Sequence, residues 1–330
     1  MANEVAEKKW STDLSNWSNN FVGLVSRDYD SCGIKMDDYS KQCAMEAVTA
    51  IYNLVKVNDK VEMKSLDMSN LRGIVEKCAA LKLNANSYPR EVYFQIRNVK
   101  VGDTYIKQVE MGIEGHGNDV ILSKFGRDVE RVYPYWVVKE GDTFVPPKHK
   151  GIEVVPPEWE SKGLSEKVMR VVYPVKLTDG TVEYLISERE SVKTNLFAHI
   201  RNNLMNETFG ICASRFKATD KQKEEIENKK KEIYKALREC KTVDEMLACE
   251  LAIPYISAAW LDTPESMITR KMCNNAIKKF PKDFDAMANK AMVDMAEEYK
   301  VIEEQPKDIE VEATVIEDEP QEFIDKDVEE

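Results

Sequence analysis

Hydrophobic residues in this chain keep a helical step over one stretch, alternate over the next, and then return to the helical step. From Tyr39 to Lys56, Ala44, Ala47, Val48, Ile51, Leu54 and Val55 recur at intervals of three and four, the spacing of one helical face. A second helix is predicted from the cap candidate Ser69 through Leu71, Ile74, Val75, Cys78 and Leu81, ending before Asn84, Asn86 and Pro89. The period then drops to two. Val92, Phe94 and Ile96 alternate with Tyr93, Gln95 and Arg97, and the Gly102-Asp103 turn leads into Tyr105 to Ile113, which is a β-hairpin signal.

Asn118 is placed to cap a short helix that runs through Phe125 to Gly126, and Val132 to Lys139 is rich enough in β-branched and aromatic residues to be a strand. Val168–Leu177 and Val182–Ser187 flank Thr178-Asp179-Gly180-Thr181, whose Asp-Gly pair predicts a second hairpin. After Glu188 the pattern is helical. Its boundaries are Thr219, the capping box of Thr242 with Glu245, Thr263 before Pro264 at a first helical position, and Pro281 as a stop. The expected fold is therefore α+β: a small antiparallel β-sheet of hairpins packed with helices, a helical C-terminal region and a disordered acidic tail.

Along the chain, residues 1–38 are expected to form an irregular or briefly helical arm whose Trp10, Trp17, Phe21 and Tyr29 pack on something. Residues 39–302 form the main body, within which 194–262 is a helical insertion; 303–330 make the tail. Residues 220–241 carry so many charges that a solvated helix face is the expectation there.

Charge is distributed unevenly. The tail holds thirteen Asp/Glu and two Lys, a net of −11 out of the chain's −12, which leaves the body near −1. It cannot bury enough apolar surface to offset chain entropy. Ile309, Val311, Val315 and Ile316 among its carboxylates give it two uses, docking to a partner or simple solubilisation. Within the body, residues 193–282 hold seventeen Lys/Arg against twelve Asp/Glu, so a locally basic face survives under an acidic total.

Several classes of function drop out. The longest nearly apolar stretch, Leu251 to Leu261, is shorter than the roughly 20 residues of a membrane span, and the start lacks a secretory signal's apolar region, so a cytoplasmic protein without membrane contact is expected. The seven cysteines are scattered without a C-x-x-C pair and read as reduced thiols, with Cys43, Cys78 and Cys273 in apolar helical settings. No phosphate-binding P-loop, H-E-x-x-H or G-x-S-x-G motif occurs. Gly112, Gly115 and Gly117 lie between a predicted strand and helix and read as a tight turn more readily than a nucleotide loop. His116, His149 and His199 are too far apart for a metal site, and Asp119, Asp128 and Asp142 read as surface carboxylates rather than a Mg²⁺ cluster. No cofactor is expected.

What the residues do offer is a track for phosphates. Lys124, Arg127 and Arg131 cluster around the end of the short helix, while Arg270, Lys271, Lys278 and Lys279 lie on a C-terminal helix, within roughly one face. Tyr93, Phe94, Tyr105, Phe125, Tyr133, Tyr135 and Trp136 are available to stack on bases, at about 1–3 kcal/mol each where they do.

Three stretches resemble the phage RecT family of single-strand annealing proteins. Val137-Val138-Lys139-Glu140-Gly141-Asp142-Thr143-Phe144 is similar to the family's V-V-[KR]-E-G-D-x-F strand and turn. Val109 through Gly126 resembles its strand–glycine–helix segment, and Met267, Arg270, Lys278 and Phe280-Pro281 resemble its basic helix, with Arg in place of the first Lys. Ile74–Leu83 and Arg170–Val192 are similar to a preceding helix and to a Y-x-V-x-x-x-D-G hairpin, in the same order. The chain departs from the pattern at Leu83-Asn84-Ala85-Asn86 (G-L-x-P), at Glu114-Gly115-His116-Gly117 (G-Y-[KR]-G) and in roughly 50 extra residues before the basic helix.

The resemblance implies an ATP-independent protein, not an enzyme. It would bind single-stranded DNA, assemble into rings or helical filaments and anneal complementary strands during phage recombination, with a phage exonuclease and a host single-strand-binding protein as partners. Lys124, Arg127, Arg131, Arg270, Lys271, Lys278 and Lys279 are read as the backbone contacts, of which Lys124, Arg127, Arg270 and Lys278 stand where the resemblance matches the family, and His116 is a conditional contact where the family carries a permanent cation. A metal-dependent nuclease and a non-annealing RNA-binding or scaffold protein are the rival readings of the same residues.

Overall fold

A computed structural model describes residues 13–304 other than 59–60, 102–103 and 215–216. The expected tail, beyond residue 304, and Trp10 of the arm lie outside the described residues. Three helices open the chain: α1 (Asp13–Ser31), α2 (Asp38–Lys56) and α3 (Met68–Ala80). The β1 (Val92–Val101) and β2 (Thr104–Ile113) hairpin follows in the register Val92 to Ile113, and then α4 (Gly115–Phe125). Next come β3 (Val129–Val132) and β4 (Trp136–Lys139), and an arm made of β5 (Thr143–Val145), β6 (Lys148–Lys150), β7 (Glu153–Val155) and β8 (Glu158–Glu160). The Asp-Gly hairpin is β9 (Val168–Leu177) with β10 (Val182–Glu188). Helices complete the described chain: α5 (Lys193–Asn203), α6 (Asp220–Glu239), α7 (Val243–Leu247), α8 (Ala258–Asp262), α9 (Pro264–Lys278) and α10 (Ala286–Glu304).

The main sheet is antiparallel and centred on β9, which pairs with β10 on one edge and with β3 and then β4 on the other. The α+β class expected from the period switch is therefore what the chain adopts, and Gly180 takes the positive φ of +84° that the Asp-Gly turn requires.

Two hydrophobic clusters hold these elements. One joins α1–α3, the β1–β2 hairpin and α10; the other joins the β9 sheet to α5–α9. Helix α4 serves both, with Ile121 and Phe125 in the first and Leu122, fully buried, in the second. Each such side chain contributes about 1.5–3 kcal/mol by leaving water. Cys43, Cys78 and Cys273 are buried as expected.

Several expectations are corrected. The arm is not irregular: Phe21, Val25 and Tyr29 recur every four residues and are buried in α1, so tertiary packing organises a stretch whose Asn and Ser content argues against a helix. Asp67, not Ser69, caps α3, accepting from the amides of Ser69 and Asn70. Helix α4 begins at Gly115, so Asn118 lies inside it. The single strand expected over 132–139 is two short strands, because Pro134 has no N–H to give to the ladder.

The 194–262 segment is no appendage, since Leu196, Ile200, Ile233, Leu237, Met246 and Trp260 all belong to the second cluster. In the charged 220–241 stretch, Ile226, Lys230, Ile233 and Leu237 are buried, so one face of α6 is covered rather than solvated. Beyond the Pro281 stop the chain resumes in α10, and the β5–β8 arm has no counterpart in the sequence reading. In that arm β5 pairs with β8 and β6 with β7, interrupted where Pro146-Pro147 faces Pro156-Pro157.

Candidate nucleic-acid interface

Helices α4 and α9 lie side by side and run in the same direction, as three contacts in sequence order establish. Gly115 lies against the side chain of Arg270, the Asn118 amide donates to Asn274 Oδ1 at 3.2 Å, and the Arg127 N–H donates to the Pro281 carbonyl at 3.0 Å. Two glycines let the β2–α4 junction pack closely against the start of β1. A Cβ at Gly117 would fall 2.2 Å from the carbonyl oxygen of Glu91, and one at Gly112 would overlap the Tyr93 ring. The glycine cluster is thus a close-packed strand-to-helix junction.

The start of α9 is held by a buried guanidinium. Arg189, 3% exposed, donates to Asp244 Oδ1 at 2.5 Å, to Glu265 Oε1 at 2.7 Å and to the Val168 carbonyl at 2.9 Å. Glu265, in the first turn of α9, also accepts from the Val168 amide at 2.8 Å. The other end of α9 is closed by the Lys282 ammonium, which donates to the carbonyls of Ile277 and Phe280 at 3.0 Å and whose pKa burial pushes down.

Between the amino-terminal halves of the two helices opens a cleft of about 600 Å³. Its basic side chains are Arg90, His116, Lys139 and Arg270. Asp119, Tyr135, Tyr173 and Cys273 also line it. The Tyr173 hydroxyl donates to Asp119 Oδ1 at 3.0 Å, and the Tyr135 ring stacks on that of Tyr173 with centroids 5.0 Å apart and planes at 29°. Burial raises the Asp119 pKa against the opposing pull of the Tyr173 hydrogen bond and of His116, whose Nδ1 is 3.9 Å away. Burial also pushes the Cys273 thiol up to about 11, so it stays protonated at neutral pH and is a poor nucleophile.

The acids around the cleft are already engaged. Glu114 faces Arg270 at 3.5 Å, Glu166 faces Lys139 at 2.6 Å, and Glu265 belongs to Arg189. Exposed pairs such as the first two are worth little in water, so a phosphate can replace the carboxylate at small cost.

The eight cationic positions singled out from the sequence are not one continuous stripe. His116 and Arg270 share the cleft. Lys271 is half-buried, and its ammonium is disfavoured by that burial and then by Arg270. Lys278 and Lys279 are exposed at the far end of α9, where Arg127 pairs with Asp283 at 2.8 Å. Lys124 leans over the Tyr39 ring, 5.2 Å from its centroid, towards α2, and Arg131 lies 4.9 Å over Tyr133.

Two cleft cations went unnoticed in the sequence. Lys139 was visible only as a letter in a motif, and Arg90 follows Tyr88-Pro89 without any charge pattern to mark it. Asp119, expected on the surface, lines the cleft, while Asp142 holds the base of the arm by accepting from the Lys139 and Lys162 amides and from Trp159. Among the described residues no group of three or more His, Cys, Asp or Glu is arranged to hold a metal ion, and no helix is long and apolar enough to cross a membrane.

Comparison of the chain with protein-family models, with curated proteins and with solved structures returned no match.

Proposed function

We propose that this protein binds single-stranded DNA and anneals complementary strands without ATP, acting as an oligomer whose DNA contact is the α4–α9 pair. The observation that carries the reading is the juxtaposition of those helices. It brings His116 and Arg270, 154 positions apart, to one cleft that also holds Arg90, Lys139 and a stacked pair of tyrosines. The segments that meet there are two of those that resemble the RecT family.

Physics suits the role. Pairing and stacking release free energy on their own, so the protein need only relieve phosphate repulsion and keep most base edges accessible; no hydrolysis is required. A few cations per subunit suffice when many subunits act in a row, since affinity multiplies along a strand. On this reading a phage exonuclease and a host single-strand-binding protein are the partners.

The test is a fluorescence annealing assay with complementary oligonucleotides added in sequence, in Mg²⁺ buffer without nucleotide. The expected result is pairing much faster than the spontaneous reaction, with full-length strands recovered on a denaturing gel and assemblies visible by electron microscopy. Shortened strands indicate a nuclease, and binding without faster pairing indicates a scaffold; either result rejects the proposal.

A further inference from the structure

The α4–α9 cleft has a shape that phosphate binding alone does not call for. It is an open cleft whose volume, about 600 Å³, lies within the roughly 300–1,000 Å³ of small-ligand sites, and Tyr135 and Tyr173 are among the side chains that line it. Tyr135 is 40% exposed, and its ring is backed by Tyr173, itself 1% exposed. A ring supported from behind in this way is a fixed platform on which another planar ring can continue the stack.

Beside the platform stands Asp119. One of its oxygens accepts the Tyr173 hydroxyl, and the carboxylate retains capacity to accept further N–H groups. Arg90, exposed and in no ion pair among the described residues, and Arg270 stand at the same opening.

We infer that the cleft takes one unstacked nucleobase of the bound strand, laid on Tyr135 with its pairing edge towards Asp119 and its flanking phosphates on Arg90 and Arg270. This deepens the single-strand reading and rests on it. All four bases carry an N–H donor on the pairing edge, so a carboxylate acceptor recognises a base without selecting one, as a sequence-tolerant binder requires. In a duplex the same edge is occupied by the complementary base. The cleft therefore separates single strands from annealed product, and pairing empties it.

The experiment is photocrosslinking of the full-length protein to an oligonucleotide containing 5-iodouracil, with peptide mapping and a parallel measurement of oligonucleotide binding. Crosslinks are expected at Tyr135. Tyr135→Ala is expected to lower their yield at least tenfold, Tyr135→Phe to restore it, and a preformed duplex of the same sequence to give almost none. If the protein binds the oligonucleotide but crosslinks elsewhere, or if Tyr135→Ala leaves the yield unchanged, the base site is wrong while single-strand binding stands. If the protein binds no oligonucleotide at all, both readings fall together.

Discussion

At the amino-terminal end of the α4–α9 pair, Arg270 and His116 meet Arg90 and Lys139 around a cleft lined by Tyr135 and Tyr173. At the carboxy-terminal end, Arg127 lies against Asp283, while Lys278 and Lys279 stand exposed on the surface. The two ends hold similar numbers of basic side chains on or beside the same two helices. They differ in enclosure. A cleft with low-dielectric walls focuses the field of its charges, whereas cations on an open surface are screened within about 8–10 Å at ordinary salt. Counting lysines and arginines therefore says less about a binding site than asking which of them share a concavity.

The strongest way to break this comparison is through the anchor of the cleft end. Replacing Arg189 with Met leaves Asp244 and Glu265 without their buried partner, and the expected loss is about 3 kcal/mol in urea unfolding. That is the low end for a broken buried pair, because the two carboxylates keep 40% and 33% of their surface in water. Arg127→Ala, which removes an exposed pair at the other end, is expected to leave the unfolding midpoint in place. Equal losses would show that the two ends are anchored alike.

A smaller effect tests the enclosure itself. Burial raises the Asp119 pKa above its ordinary value of 3.8, so in the window just above 3.8 the folded chain holds a proton that the unfolded chain releases. Stability from this group therefore falls as pH climbs through that window and levels off above the raised pKa. Asp119→Asn is expected to remove that decline, so the variant's midpoint should rise relative to the parent between pH 4 and neutrality. A difference that does not change with pH would mean that the carboxylate is solvated and the cleft open to bulk water.

Much of the fold was legible where one physical signal dominated. The four-residue recurrence of α2 and α3, the alternation of β1 and β2, and Asp179-Gly180 between β9 and β10 each leave a pattern that local geometry alone can explain. Helix α1 was obscured because its buried face is narrow and its other positions are Asn and Ser, which helices tolerate only when packing compensates. Three- and four-residue strands such as β5 to β8 span too few side chains to establish a period.

The site was legible in part. Arg270 stood out as a cation, His116 as a conditional contact, and Tyr135 as one aromatic among seven. Their convergence depends on α4 and α9 packing in parallel across 154 residues of sequence, which no local pattern encodes. Asp119 and Arg90 were indistinguishable from surface charges until the cleft formed around them.

The account turns on the cleft end of the helix pair being where the DNA backbone is neutralised. Oligonucleotide affinity measured from 50 to 300 mM salt tests it directly, with Arg90→Ala/Arg270→Ala compared against Lys278→Ala/Lys279→Ala. For single strands each lost phosphate contact flattens the slope of log K against log salt by about 0.7. The cleft variant should bind more weakly and lose about 1.4 from its slope, and the other should change by less than half as much. A cleft variant that retains the parent's slope, or a larger loss from Lys278 and Lys279, would contradict the account.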